Sequence, residues 1–108
     1  MPLYMTQFAY TSDALTSFVK NPEDRTTVIR ELTEKLGGRF VALYYTLGEY
    51  DGFVLWEFPD EITATAAIFA ATSPGHLKAT KTTLAMTGAD VMEAMRKAAT
   101  TTYRGPRK

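Results

Sequence analysis

Polar and apolar positions change period several times along the chain, and the changes mark its elements. Within residues 39–58, two runs rich in Phe, Val, Leu, Tyr and Trp flank a polar break, Gly48-Glu49-Tyr50-Asp51-Gly52. Aromatic and β-branched residues suit a pleated, half-buried surface, and two glycines with an aspartate supply the backbone freedom that a reversal needs. A β-hairpin is predicted. Segments of helical period lie on both sides, so the hairpin strands are expected in the middle of a sheet with helices packed on it.

Residues 2–10 place Tyr4, Thr6, Phe8 and Tyr10 on one face and Leu3, Met5, Gln7 and Ala9 on the other. Neither face carries a charge, which predicts a first strand buried on both sides. Thr11-Ser12-Asp13 is helix-capping chemistry, and Leu15, Phe18 and Val19 follow at helical spacing, so a short helix comes next. At Asn21-Pro22 a second helix is expected to begin, with Glu23 and Asp24 against the positive end of its dipole. Its predicted buried stripe is Val28, Ile29, Leu32 and Leu36, ended by a left-handed cap at Gly37-Gly38.

Beyond the hairpin, Asp60 to Thr72 reads as a helix whose alanines allow close approach to the sheet, with Ile62 and Phe69 as its bulkier anchors. Residues 76–86, rich in threonine and holding Lys78 and Lys81, suggest a fourth strand at a sheet edge. Thr87-Gly88-Ala89-Asp90 then opens a last amphipathic helix with Val91, Met92, Met95, Ala98 and Ala99. The order β-α-β-β-α-β with an added C-terminal helix is the α+β, ferredoxin-like arrangement, a four-stranded antiparallel sheet with its two main helices on one face. Since the strands are apolar on both faces, the uncovered face calls for a cover, and a second copy of the sheet is the economical one.

At 108 residues the chain is expected to be one domain, residues 1–99, with 100–108 as an extended or disordered basic tail. Twelve basic and twelve acidic residues cancel, which argues against nucleic acid and anionic membrane as partners. Without cysteine there is no disulfide, thiolate metal site or cysteine nucleophile. The first residues show no basic stretch followed by a long apolar one, and the apolar runs are strand-length, so a soluble cytoplasmic protein is the expectation.

Gly48-Glu49-Tyr50-Asp51, set between two apolar strands and preceded by Leu36-Gly37-Gly38, resembles the GYD domain family of small bacterial proteins. The resemblance extends through the Thr-led first helix, the Asp-capped alanine-rich helix and the threonine-rich fourth strand. It implies a ferredoxin-like fold of the dimeric α/β-barrel type and names no established activity.

Four residues are candidates for chemistry. Tyr50 and Asp51 sit at the hairpin turn, where an Asp beside a Tyr can orient a ligand or poise a phenol as a proton donor. Equally, Asp51 can bond backbone amides while Tyr50 packs, and this is the commoner outcome. His76, the single histidine, is able to act as a base or as an axial haem ligand, as in some dimeric α/β-barrel proteins, yet a partly exposed histidine at the start of a strand is more usual. No second His or Cys accompanies it, so no metal site and no resident cofactor are expected. Glu57 interrupts an apolar strand face and needs a partner such as Arg39, Lys78 or Lys81. Tyr44, Tyr45, Trp56 and Phe58 suit a planar apolar ligand or a dimer core. No phosphate loop, G-x-S-x-G elbow or His-Glu-x-x-His motif occurs.

The sequence therefore predicts a small homo-oligomeric binding or structural module. The alternative is a cofactor-free or haem-type enzyme acting on a small aromatic or carbonyl compound in a pocket between sheet and helices, served by Tyr50, Asp51, His76 and Glu57.

Overall fold

In the computed structural model, which describes residues 1–107, the elements run β1 (Leu3–Tyr10), α1 (Ser12–Lys20), α2 (Thr26–Lys35), β2 (Arg39–Tyr45), β3 (Gly52–Glu57), α3 (Glu61–Thr72), β4 (Leu77–Ala85) and α4 (Gly88–Ala99). The strands form one sheet in the order β2-β3-β1-β4, and each neighbouring pair is antiparallel. The fold is α+β and ferredoxin-like. Only one hairpin strand lies in the middle of the sheet: β3 is central beside β1, which pairs with both β3 and β4, and this leaves β2 at one edge and the threonine-rich β4 at the other.

Local chemistry explains where the helices begin. The Thr11 hydroxyl accepts from Ala14 N at 3.1 Å, the Asp60 carboxylate from Thr63 N at 2.8 Å, and the Thr87 hydroxyl from Asp90 N at 3.1 Å. Each satisfies an amide that the first turn leaves without a helical partner. α2 departs from expectation, because it starts at Thr26 and not at Pro22. Asp24 Oδ1 takes both the amide (3.0 Å) and the hydroxyl (2.6 Å) of Thr26, which places the capping acceptor three residues later than Asn21. At the other end, Gly37 lies at φ +75° and its N–H donates to Glu34 O at 3.0 Å, the left-handed stop that the glycine pair predicts.

The sheet face under the helices holds the core. Phe8, Val54, Trp56 and Phe58 are buried there with Ala64 and Ala67 of α3, and Ile29 and Leu32 of α2, with Leu36 at its C-cap, pack against this core. Trp56 Nε1 donates to Thr6 Oγ1 at 3.0 Å, and Thr6 Oγ1 in turn meets Thr82 Oγ1 at 3.0 Å. The buried Trp56 and Thr6 side chains are thus both bonded, as burial demands, and the relay runs out to the exposed Thr82. Two details differ from the expected packing. Ile62 and Phe69 are 77% and 67% exposed, because the small Ala64 and Ala67 let the backbone of α3 approach and turn the bulky residues outward. Val28 is also exposed, while Thr33 is fully buried with its hydroxyl on Ile29 O at 2.7 Å.

None of the described helices covers the opposite sheet face. Met5 pairs with Leu55, Gln7 with Phe53, and Tyr44 lies beside Phe53, their ring centroids 5.7 Å apart. A register shift between Phe40 and Ala42 makes Val41 a bulge and keeps Phe40 and Leu43 on the helix side. Residues 101–107 carry neither helix nor strand, and Lys108, the end of the expected tail, falls outside the described residues. None of the described helices is long and apolar enough to cross a membrane.

Candidate functional site

The end of β1 and the hairpin turn are tied together by backbone and carboxylate. Asp51 N donates to Phe8 O at 2.8 Å, Thr46 N donates to Asp51 O at 2.8 Å, and Tyr10 N donates to Asp51 Oδ2 at 2.8 Å. Thr46 Oγ1 adds a bond to Tyr50 O at 2.8 Å. Gly52, next in the chain, is there for space and not for a rare dihedral: a Cβ would lie 2.5 Å from the Phe8 ring and 2.7 Å from Tyr44 O. This is a different reason for glycine from the one its turn position suggests.

Beside this junction, between the sheet and the helices, lies an apolar cleft lined by Thr6, Phe8, Tyr10, Ile29, Leu43, Val54, Trp56 and Ile68, with Arg25 and His76 also contributing. Its cavity volume is about 40 Å³. The cleft is therefore a narrow slot. A porphyrin has no room in it; His76 also borders an open groove with Ala14, Ser17, Phe18, Arg25 and Pro74.

Aromatic rings shape the wall. Tyr10 stands edge-on to Phe18 at 5.0 Å and to Phe8 at 5.4 Å, and the His76 ring lies over Tyr10 at 6.2 Å with 30° between planes. The Tyr45 hydroxyl accepts Arg25 N at 3.0 Å, which fastens the α2 entrance to β2. Burial, then the Tyr45 hydroxyl beside it, pushes the Tyr10 phenol above its ordinary value, so it stays a neutral donor. Burial, helped by the Arg25 guanidinium, holds the His76 imidazole below its ordinary value. A neutral imidazole able to accept a proton thus sits beside a phenol able to donate a hydrogen bond. Arg25 itself is engaged by Glu23 at 2.6 Å.

The four residues singled out by sequence do not form one site. His76 lines the cleft, and Asp51 borders it by holding Tyr10. Tyr50 is in the turn. Glu57 stands at the rim of the uncovered sheet face, opposite Arg39 in the β2–β3 register, with Arg39 Nε donating to Glu57 Oε1 at 2.7 Å. That hydrogen bond holds the Glu57 carboxyl below the usual carboxylate range. Tyr10 and Arg25 were not marked by the sequence. The alternation of β1 puts Tyr10 on the face of Phe8, which was a usable signal; Arg25 lay in what reads as a helix and gave none.

The GYD domain pattern matches residues 4–95. Among characterised proteins, the chain is 34% identical over 96 residues to the glutamine synthetase and cystathionine beta-lyase binding protein of Thermus thermophilus, covering 89% of this chain and all of that one. Among solved structures it is similar to MtbAldR, with a TM-score of 0.55 and 12% identity over 80% of this chain, which spans 52% of that protein. It is also similar to TTHA0845 of Thermus thermophilus, with a TM-score of 0.52 and 16% identity, covering 82% of this chain and 96% of that one. At these identities the solved structures bear on the fold alone. The pattern match across most of the chain, with the 34% identical relative, shows that this chain belongs to the GYD domain family.

Proposed function

We propose that the chain is a protein-binding module that works as a homodimer, residues 1–99 forming the domain and two sheets packing through their uncovered faces into an α/β barrel. The observation that carries this is the uncovered face, where Met5, Phe53, Leu55 and Tyr44 form an apolar surface rimmed by the Arg39–Glu57 pair. Burying such a surface contributes about 25 cal/mol per Å², and zero net charge removes long-range repulsion between copies. The relative named for binding two enzymes supports a binding role. A glutamine synthetase and a cystathionine beta-lyase are the first partners to try. Calorimetric titration of either purified enzyme with the chain tests this: saturable binding of one of them supports the role, and no heat with both removes these two partners.

The cleft favours a second reading, a cofactor-free site for a small aromatic or carbonyl compound with His76 and Tyr10 as its polar groups. A ligand at a hundredfold its Kd stabilises the fold by ~2.7 kcal/mol. A melting-temperature screen over aromatic acids and aldehydes reads that directly, and a flat response across the panel removes this reading.

A further inference from the structure

Helix α4 stands apart from the body that its own chain builds. Every residue of α4 except Val91 is exposed, Met92 at 54% and Met95 at 63%. Helical spacing nevertheless puts Val91, Met92, Met95 and Ala98 on one side and Asp90, Glu93, Arg96 and Lys97 on the other. An isolated helix of about a dozen residues is marginal in water, and an amphipathic one draws its stability from the surface it packs on. Among the described residues nothing buries that side of α4.

The dimensions agree. The radius of gyration is 17.7 Å and the long axis 58 Å, where a compact chain of this length has a radius of gyration of about 13 Å. The chain exposes 7863 Å², where a compact monomer of its mass exposes roughly 6,000 Å². The excess, about 1,900 Å², to which the exposed α4 contributes, exceeds the ~800 Å² that each partner gives to an ordinary stable interface.

We propose that α4 is an exchanged arm: in a pair of copies, each α4 lays its Val91, Met92 and Met95 side against the body of the other copy. This rests on the homodimer reading above and adds to it. A second copy is the occupant for three reasons. Thr87 and Asp90, at the root of α4, share a surface cleft with Leu3, Glu57 and Ala85 at the end of the sheet, and Leu3 and Glu57 belong to the rim of the uncovered face. Whatever covers that face comes alongside α4. The charges of α4 cancel, as do those of the chain, so an identical copy meets no repulsion. Two-fold symmetry also gives both arms the same contact, so one solution settles both uncovered helices.

The test uses the full chain with a photo-reactive benzoylphenylalanine replacing Met95, prepared as ¹⁴N and ¹⁵N copies that are mixed to equilibrium. Irradiation and peptide mass spectrometry then distinguish links between copies from links within one. Light scattering of the same sample reports the dimer. The arm predicts links from α4 of one copy to the strands or helices of residues 1–85 of the other. It also predicts that Met92→Glu with Met95→Glu raises the dimer dissociation constant at least tenfold. A dimer linked only within single chains, only between the two α4 helices, or not at all overturns the exchanged arm while leaving the homodimer standing. A monomer overturns both.

Discussion

The Asp51 carboxylate accepts the backbone N–H of Tyr10 at 2.8 Å, joining positions 41 residues apart. Tyr10 is the last residue of β1 and a wall of the cleft, so the hairpin turn fixes the strand end that carries the cleft's phenol. The amide that Asp51 serves belongs to another strand, whereas the turn motif by itself suggests bonds within the turn.

Replacing Asp51 with Ala leaves the Tyr10 amide short of an acceptor, and the expected loss is about 0.5–2 kcal/mol. Asp51→Asn keeps an oxygen acceptor and is expected to lose less than half of that. Urea denaturation of the two variants beside the unaltered protein checks the order. An Asn variant as stable as the parent that no longer binds a ligand the parent binds would show that the charge, not the acceptor, is what matters.

Trp56 and Thr6 give a second stability prediction. Thr6→Val leaves the buried Trp56 Nε1–H without its acceptor at 3.0 Å, at an expected cost of about 1–3 kcal/mol. Trp56→Ala removes the largest fully buried side chain and is expected to cost about 3–5 kcal/mol. Equal losses for the two variants would contradict the assignment of Trp56 as the centre of the core.

Gly52→Ala drives a methyl group toward the Phe8 ring and Tyr44 O, and the crowding is expected to cost about 1–3 kcal/mol. The separate variant Phe8→Leu with Gly52→Ala relieves the ring contact and should recover part of the loss. Thermal unfolding of both variants measures the difference, and no recovery would place the strain in the backbone.

Acid acts in two windows, the upper through His76 and the lower through Glu57 together with Asp24 and Asp60, whose carboxyls the Thr26 and Thr63 hydrogen bonds hold below their ordinary values. The folded His76 has its pKa lowered by burial, so the fold disfavours its protonation; the associated stability is present above the unfolded value of about 6.5 and is lost as pH falls past it. Glu57, lowered by the Arg39 hydrogen bond, contributes stability present above about pH 4.3 and lost as pH falls further. Denaturation at pH 7 and pH 5 should show a drop in the unaltered protein that His76→Gln removes. Glu57→Gln should flatten only the more acidic part, and a profile between pH 7 and pH 5 unchanged by His76→Gln would contradict the burial of that ring.

Much of the fold was legible because its signals are local. The alternation in β1, the caps at Thr11, Asp60 and Thr87 and the stop at Gly37 each act within a few residues, so composition reveals them. The start of α2 was misplaced because Asn21-Pro22 and Asp24 offer equally good local starts, and the bonds of Asp24 to Thr26 decide between them. Thr33 reads as polar in the sequence yet is a core residue, because its hydroxyl is satisfied by Ile29 O within its own helix. Ile62 and Phe69 reversed their expected roles because the alanines of α3 determine which side meets the sheet. The cleft was the least legible part: it joins Tyr10, Arg25 and His76 from distant segments, and no sequence spacing encodes that meeting.

Light scattering on the full chain eluting from a size-exclusion column at micromolar concentration tests the homodimer most directly, with Leu55→Glu run beside it. A homodimer gives a mass twice the 12.0 kDa of one chain for the unaltered protein. Leu55→Glu is expected to be a folded single copy, because a carboxylate then occupies the centre of the paired sheets. A monodisperse 12.0 kDa species for the unaltered protein, or a dimer unaffected by Leu55→Glu, would contradict the homodimer of paired sheets.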